Sequence, residues 1–169
     1  MALTQQIARL TAAQLADCRA SIDALGSLCA FTLRGVDDYL DLDWSPTPLQ
    51  RAAVASGLPN ELIEALSRAC AGSDEINPGY RNVAVTIWEH PVTALDPAAM
   101  RDVAGQLDAW SASDIVQGLA HDAPTLAKQL QLTELPEQPR TYVSEYYEAL
   151  RGFNLEAAQR ELATAMWWD

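Results

Sequence analysis

The stretch VDDYLDLDWSP, residues 36–46, is the segment from which the fold of this chain can be worked out. Its four carboxylates are Asp37, Asp38, Asp41 and Asp43. From residue 40 onward apolar and acidic residues alternate, and a period of two is typical of a β-strand. Leu40, Leu42 and Trp44 are therefore predicted to face a core, with the last two carboxylates on the opposite face.

Helix signals surround this strand. Thr11 is an N-cap candidate for a helix over residues 12–25, which has apolar residues at spacings of three and four and stops at Gly26. Ser45 and Pro46 open a helix that ends at Gly57. Further helices are predicted to begin near residues 59, 97, 111–113, 124 and 141, and the last is the longest, running to about residue 160.

The other segments are predicted to be loops and strands. Residues 71–80 are rich in Gly, Ser, Asn and Pro, which predicts a loop. Residues 83–88 are β-rich and are predicted to form a strand, whereas residues 163–168 fit either a helix end or a strand. We expect one α+β domain over residues 1–169, a single helix-rich domain. Its sheet would be small, mixed or antiparallel, with three to four short strands beside a long C-terminal helix.

Composition narrows the classes of partner. The chain has 169 residues and a formal net charge of −12, and Lys128 is its single lysine. Nucleic acid and anionic membranes are disfavoured, because both are bound mainly through Lys and Arg. A basic protein partner remains open. The odd number of cysteines, without a CxxC motif, indicates reduced core thiols. With no targeting segment or membrane span in the sequence, we expect a cytoplasmic protein.

The sequence does not match the known motifs for cofactor binding, metal binding or nucleophilic catalysis. The four aspartates lack the glycine and the closing Glu of an EF-hand loop, so a solvated acidic face or a recognition patch is favoured over a metal site. Only two histidines, His90 and His121, could serve a nucleophile, and no GxSxG sequence or glycine-rich phosphate loop is present. We therefore predict no cofactor and no metal, and the sequence leans away from an enzyme without deciding it.

The remaining candidate functional residues are charged and aromatic residues that could bind a partner or a ligand. An exposed Trp among carboxylates is typical of a protein interface. The predicted partner-binding residues are Asp37, Asp38, Asp41, Asp43, Asp74, Glu75 and Trp110. A possible cleft is formed by Tyr80, Arg81, Glu89 and His90. On the longest helix, Tyr142 and Tyr146 are predicted to lie on a core stripe, and Tyr147 lies off it.

Three sequence blocks together resemble a known family. They are LTAAQL at residues 10–15, YLDLD at residues 39–43 followed by a helix, and YEALRGF with the closing WWD at residues 147–153 and 167–169. The arrangement is similar to the YfbM-like family, domain-of-unknown-function family 1877. The resemblance implies a small sheet packed by helices and a terminal strand over residues 163–168. A histidine frequent in the family is Gln50 here, and the family brings no established activity to carry over.

The leading hypothesis is a non-enzymatic, acidic cytosolic protein that binds another protein. In its sharpest form this would be an immunity or antitoxin-type inhibitor of a basic effector, because complementary charge speeds and orients association. Two alternatives remain open: an enzyme or small-molecule binder with a cleft near Glu89 and His90, and a self-associating accessory protein that uses a sheet edge.

Overall fold

A computed structural model describes residues 3–83 and 91–169 of the chain. The strands in these residues are β1 Gln5–Leu10, β2 Tyr39–Asp41, β3 Asp74–Glu75, β4 Thr93–Leu95 and β5 Ala163–Trp168. The helices are α1 Ala12–Ala20, α2 Ile22–Cys29, α3 Pro46–Ala55, α4 Asn60–Ala71, α5 Pro97–Asp108, α6 Ala112–Val116, α7 Ala123–Leu130 and α8 Pro139–Gln159. Short 3-10 helices span Val36–Asp38 and Pro78–Asn82.

The strands form one antiparallel sheet in the order β2-β1-β5-β4-β3. The predicted α+β class, the antiparallel sheet and the long C-terminal helix are confirmed, and the described residues contain five strands. The strands that were not predicted are β1, β4 and the two-residue β3, and β3 lies within the predicted loop over residues 71–80. The predicted strand over residues 83–88 falls largely outside the described residues.

Each face of the sheet is covered by its own helical layer. Ile7, Leu95 and Met166 face one core, which α3 to α8 complete. Ala8 and Ala165 face the other core, which is closed by α1 and α2. Both faces are therefore buried, and β2 and β3 are the outermost strands of the sheet among the described residues.

The first predicted helix is two helices. Thr11 caps α1 through a capping box with Gln14, whose backbone N–H lies 3.2 Å from the Thr11 hydroxyl. The chain then turns at Ser21, an extended residue whose hydroxyl accepts from the backbone N–H of Ala24 and so caps α2. The periodicity over residues 12–25 was correct, but it could not reveal a serine that caps a new helix inside the run.

Strand β1 lies in the interior of the sheet, between β2 and β5, and hydrophobic periodicity did not predict it. All six of its residues are buried, including Gln5, Gln6 and Arg9. The Gln5 amide donates to the backbone oxygen of Cys70, and the Gln6 amide donates to the Thr4 hydroxyl at 2.8 Å. These bonds satisfy the side-chain N–H groups of both glutamines, which would otherwise destabilise a buried strand.

Candidate functional site

Asp37 and Asp38, at the start of the acidic stretch, have opposite environments. Asp37 is exposed, whereas Asp38 is 9% exposed. The Asp38 carboxylate accepts from the guanidinium groups of Arg34 and Arg160, the latter at 2.9 Å. The sequence left open whether the four carboxylates face solvent together; they do not, because three arginine side chains surround Asp38 and leave it little surface for the predicted role in partner binding.

The third arginine, Arg9, ties this ion cluster to the core. Its guanidinium lies 3.8 Å from Asp38, 2.8 Å from Glu156 and 3.9 Å above the Phe153 ring. Burial lowers the pKa of Arg9, although both carboxylates oppose the effect. Since breaking a buried ion pair leaves an uncompensated charge, the cluster fixes the relative positions of β1, α8 and residues 34–38.

Beyond Asp38 the chain follows the predicted alternation for three residues and then departs from it. Leu42 is fully buried and Asp41 is exposed, as expected for a strand. Asp43 then adopts a left-handed backbone with φ of 50°, and its N–H donates to the Asp41 carboxylate at 2.7 Å. This turn reverses the direction of the next side chain. Trp44 is consequently 49% exposed, so its predicted place in the core is wrong.

Aromatic side chains from α8 and β5 gather around this turn. The Tyr142 hydroxyl donates to the Asp43 carboxylate at 3.1 Å, and the Tyr142 and Tyr146 rings lie 4.7 Å apart. The Trp44 ring lies 6.3 Å from that of Trp168. We call this group the acidic–aromatic surface; it consists of Asp41, Asp43, Trp44, Tyr142, Tyr146 and Trp168.

The electrostatics of the acidic–aromatic surface follow from partial burial beside carboxylates. Burial, followed by the charge of Asp43, raises the pKa of Tyr142. Burial and the charges of Asp43 and Asp41 likewise raise the pKa of Tyr146. Both phenols are therefore neutral hydrogen-bonding groups. In the described part of the chain, neither Asp41 nor Asp43 forms a salt bridge, so their negative charge is open to a partner.

The second predicted acidic pair lies at the opposite edge of the sheet. Asp74 and Glu75 form β3, four strands from β2 and roughly 19 Å away at ordinary strand spacing. Asp74 lies 3.7 Å from Arg19, and Glu75 holds Arg81 through two contacts of 2.6 and 2.9 Å. The two acidic segments therefore cannot act as one continuous surface.

Glu75, Tyr80 and Arg81 line a cleft with a volume of about 640 Å³. The cleft lies among α2, the 3-10 helix Pro78–Asn82 and the end of β5. Two of the four predicted cleft residues, Tyr80 and Arg81, thus do border a cavity. The other two, Glu89 and His90, lie outside the described residues. Sequence reasoning missed Cys29 and Asp169, which also line the cleft, because they are far from Tyr80 in sequence.

Trp110 and Tyr147 belong to the helical layer. Trp110 is half-buried and packs against the larger core at the end of α5. Tyr147 is fully buried, and its hydroxyl donates to the backbone oxygen of Leu107 at 2.8 Å. Its position off the predicted stripe has a structural explanation, since this hydroxyl joins α8 to the end of α5. Trp110 as a partner-binding residue stays a prediction.

Metal-binding clusters and membrane-spanning helices are both absent from residues 3–83 and 91–169. No group of three or more His, Cys, Asp or Glu in those residues is placed to hold a metal ion. The same residues include no helix that combines the length and the apolar character needed to cross a bilayer.

The architecture is that of a YfbM-like α+β protein. A solved structure, described as a protein of unknown function YfbM from Escherichia coli, is similar to this chain with a TM-score of 0.62 and 12% sequence identity. The likeness covers 96% of this chain and 98% of that one. No protein-family model matches the chain, and neither does any curated protein. The resemblance read from the sequence is therefore confirmed as a likeness of fold, and it assigns no activity.

Proposed function

We propose that the protein binds a basic protein partner through the acidic–aromatic surface. The observation that supports this most is the exposed Trp44 ring beside two carboxylates that have no cationic partner among the described residues. Trp and Tyr contribute much of the affinity at protein interfaces, and carboxylates select a basic partner and speed its approach.

Other parts of the molecule explain why this surface stands out. Some carboxylates elsewhere are paired, such as Asp102 with Arg68 at 2.6 Å and Asp108 with Arg151 at 2.5 Å. Others form no salt bridge, but among the described residues Trp44 is the tryptophan with a largely exposed side chain, and it lies beside Asp41 and Asp43. Arg140 is also occupied, since it donates to backbone oxygens at the ends of α6 and the following turn, including that of Val116 at 2.9 Å. With a net charge of −12, the molecule attracts basic proteins over long range. The acidic–aromatic surface supplies the short-range contacts.

The sharpest form of the proposal is an immunity or antitoxin-type inhibitor that covers the basic surface of an effector. Effectors that act on nucleic acid need a basic surface. A Trp seated in that surface, with Asp41 and Asp43 against its Lys and Arg side chains, would block access of nucleic acid. Binding of this kind needs no catalytic group on the inhibitor.

The test is co-expression with the protein encoded by the neighbouring gene, followed by binding measurements on the purified pair. Wild-type chain is expected to relieve toxicity and to associate more slowly as salt is raised. The triple variant D41N/D43N/W44A is expected to weaken binding by at least about 100-fold, since a central Trp and its neighbouring charges commonly contribute 2–4 kcal/mol.

A matched control changes two exposed carboxylates and one exposed apolar residue on the neighbouring helices. The variant E61Q/E64Q/V54A removes the same charge from α3 and α4. It should bind as wild type does, apart from a small loss of association rate. Equal weakening by both triple variants would show that binding depends on the net charge of the protein and not on the acidic–aromatic surface. The absence of any binding or phenotype with the neighbouring product would contradict the proposal.

A further inference from the structure

The cleft beside Tyr80 has the size of a small-molecule site. Its volume of about 640 Å³ lies within the range that such sites usually occupy, about 300–1,000 Å³. It belongs to the α1–α2 side of the sheet, whereas Tyr142 and Tyr146 pack against the core on the other side. The cleft is therefore a second feature, independent of the acidic–aromatic surface.

The walls of the cleft combine polar side chains with aliphatic and aromatic surface. Ile22 and Val92 contribute aliphatic surface, and Tyr80 contributes an aromatic ring. A Cβ added to Gly26 would lie 3.9 Å from the Tyr80 ring, an ordinary van der Waals contact, so α2 packs close to one side of this ring. Such walls favour a ligand with a planar or compact apolar body.

The charged groups of the cleft do not balance. Arg81 and Glu75 neutralise each other through their two contacts. Asp23 and Asp169 also line the cleft, and in the described residues neither forms a salt bridge. The cleft therefore presents an excess of two negative side-chain charges.

The Cys29 thiol and the Tyr80 phenol, which also line the cleft, add no charge at neutral pH. Burial raises the pKa of the Cys29 thiol to about 12, and it also raises the pKa of Tyr80. Both groups consequently remain protonated. A neutral phenol ring also offers its negative face to a nearby cation.

We infer that this cleft binds a small organic cation, an amine or amidine head on a flat apolar body. The head would lie between Asp23 and Asp169, and the body would lie against Tyr80 and Ile22. An anionic ligand of the same shape would be repelled by the two carboxylates, since Arg81, the guanidinium among the described lining residues, is already paired with Glu75.

The inference is tested with three probes that share one ring and differ in charge: benzylamine, benzyl alcohol and benzoate. Binding is followed through backbone amide chemical shifts of the full chain, at Ser27, Asn77 and Tyr80. Benzylamine should shift these amides with an affinity about 10-fold above that of benzyl alcohol, as expected for a cation near two partly exposed carboxylates, with benzoate weakest. Equal or tighter binding of benzoate, or no shift from any probe at millimolar concentration, would overturn the inference.

Two charge variants are expected to change the affinity for benzylamine in opposite directions. Arg81→Gln frees the Glu75 carboxylate and should tighten benzylamine binding about 3-fold, whereas D23N/D169N should weaken it about 10-fold, by the same Coulomb argument. Glu64→Gln on α4 is the matched control and should leave the affinity unchanged. If Arg81→Gln instead weakened benzylamine binding, the cation would not be recognised by the carboxylates and the inference would fail.

A steric variant tests whether the probe binds inside the cleft. Ala30 is exposed and lines the cleft, so Ala30→Trp should fill the cavity and abolish the amide shifts. Ala98→Trp adds the same ring at an exposed position of α5 and should leave binding intact. Persistent binding to a folded Ala30→Trp variant would show that the probe lies elsewhere. These outcomes concern the α1–α2 side alone, so they are independent of the protein-binding proposal.

Discussion

The two edges of the sheet carry similar acidic side chains in different surroundings. At the β2 edge, Asp41 and Asp43 have hydrogen-bond donors but no salt bridge among the described residues, and Trp44 lies exposed beside them. At the β3 edge, Asp74 and Glu75 are both paired with arginines. A carboxylate in the sequence therefore says little about its role, because the neighbouring cations decide whether its charge is available.

The difference extends to what each edge can bind. The β2 edge presents a surface on which aromatic rings and unpaired carboxylates lie together, and such a surface suits a protein. The β3 edge adjoins a cavity of about 640 Å³ with both apolar and charged residues in its walls, and such a cavity suits a small molecule. The two recognition sites that we propose thus differ in scale and lie on opposite sides of the sheet.

The largest effect is expected in the rate at which Cys29, in the cleft beside the β3 edge, is alkylated. Its pKa of about 12, against 9.0 for a free thiol, lowers the thiolate fraction at pH 8 by about 1,000-fold, and alkylation should slow to the same degree. Because the pKa is raised, the rate should increase about tenfold for each pH unit until pH approaches 12. Mass spectrometry after iodoacetamide treatment measures this, with the denatured chain as control. Alkylation of native Cys29 at the denatured rate would show that the cleft is open to water.

The next effect separates two carboxylates that lie three residues apart at the β2 edge. Asp38→Asn should lower the free energy of unfolding by about 3 kcal/mol, because it leaves Arg9 and Arg34 without a buried counter-charge. Asp41→Asn should change it by less than about 0.5 kcal/mol, as is usual for an exposed site. Urea denaturation measures both. Similar losses in the two variants would contradict the division between a structural and an available carboxylate.

The smallest effect concerns how the chain enters the β3 edge. Gly72 has φ of 64°, and an added Cβ would lie 2.8 Å from Thr93 and 2.9 Å from the backbone nitrogen of Ala94. Gly72→Ala should therefore cost about 2–3 kcal/mol of unfolding free energy, from backbone strain and overpacking combined. Gly57 has φ of 67° with open space around it, so Gly57→Ala should cost only about 1 kcal/mol. Equal losses of unfolding free energy in the two variants would mean that the backbone around Thr93 and Ala94 shifts easily to make room for the added Cβ.

Much of the helical layer could be predicted because its signals are local. Thr11, Asp96 and Ser111 each cap a helix through a side chain that accepts a backbone N–H three residues on, and such pairs are visible in sequence. Strand β1 could not be predicted in the same way. Its polar residues are satisfied by Cys70, Thr4 and the ion cluster around Arg9, which are partners distant in sequence or outside the strand.

The candidate sites were predictable in part. The acidic stretch drew attention to Asp41 and Asp43, and Tyr80 with Arg81 indicated the cleft. The aromatic half of the surface was missed because Tyr142 and Tyr146 have core spacing on their helix. Their exposure depends on where α8 passes the turn at Asp43, and no local pattern encodes that position.

The sequence by itself determined the α+β class, the capped helices, the acidic charge and the resemblance to the YfbM-like fold, since these depend on composition and on contacts within a few residues. The tertiary structure alone decided which carboxylates are buried and which are available. Asp38 is neutralised by arginines from three separate segments, whereas the left-handed turn at Asp43 directs Trp44 outward. Long-range pairing of charges and the direction of one turn are properties of the folded chain, and they separate the structural residues of the acidic stretch from those proposed to bind.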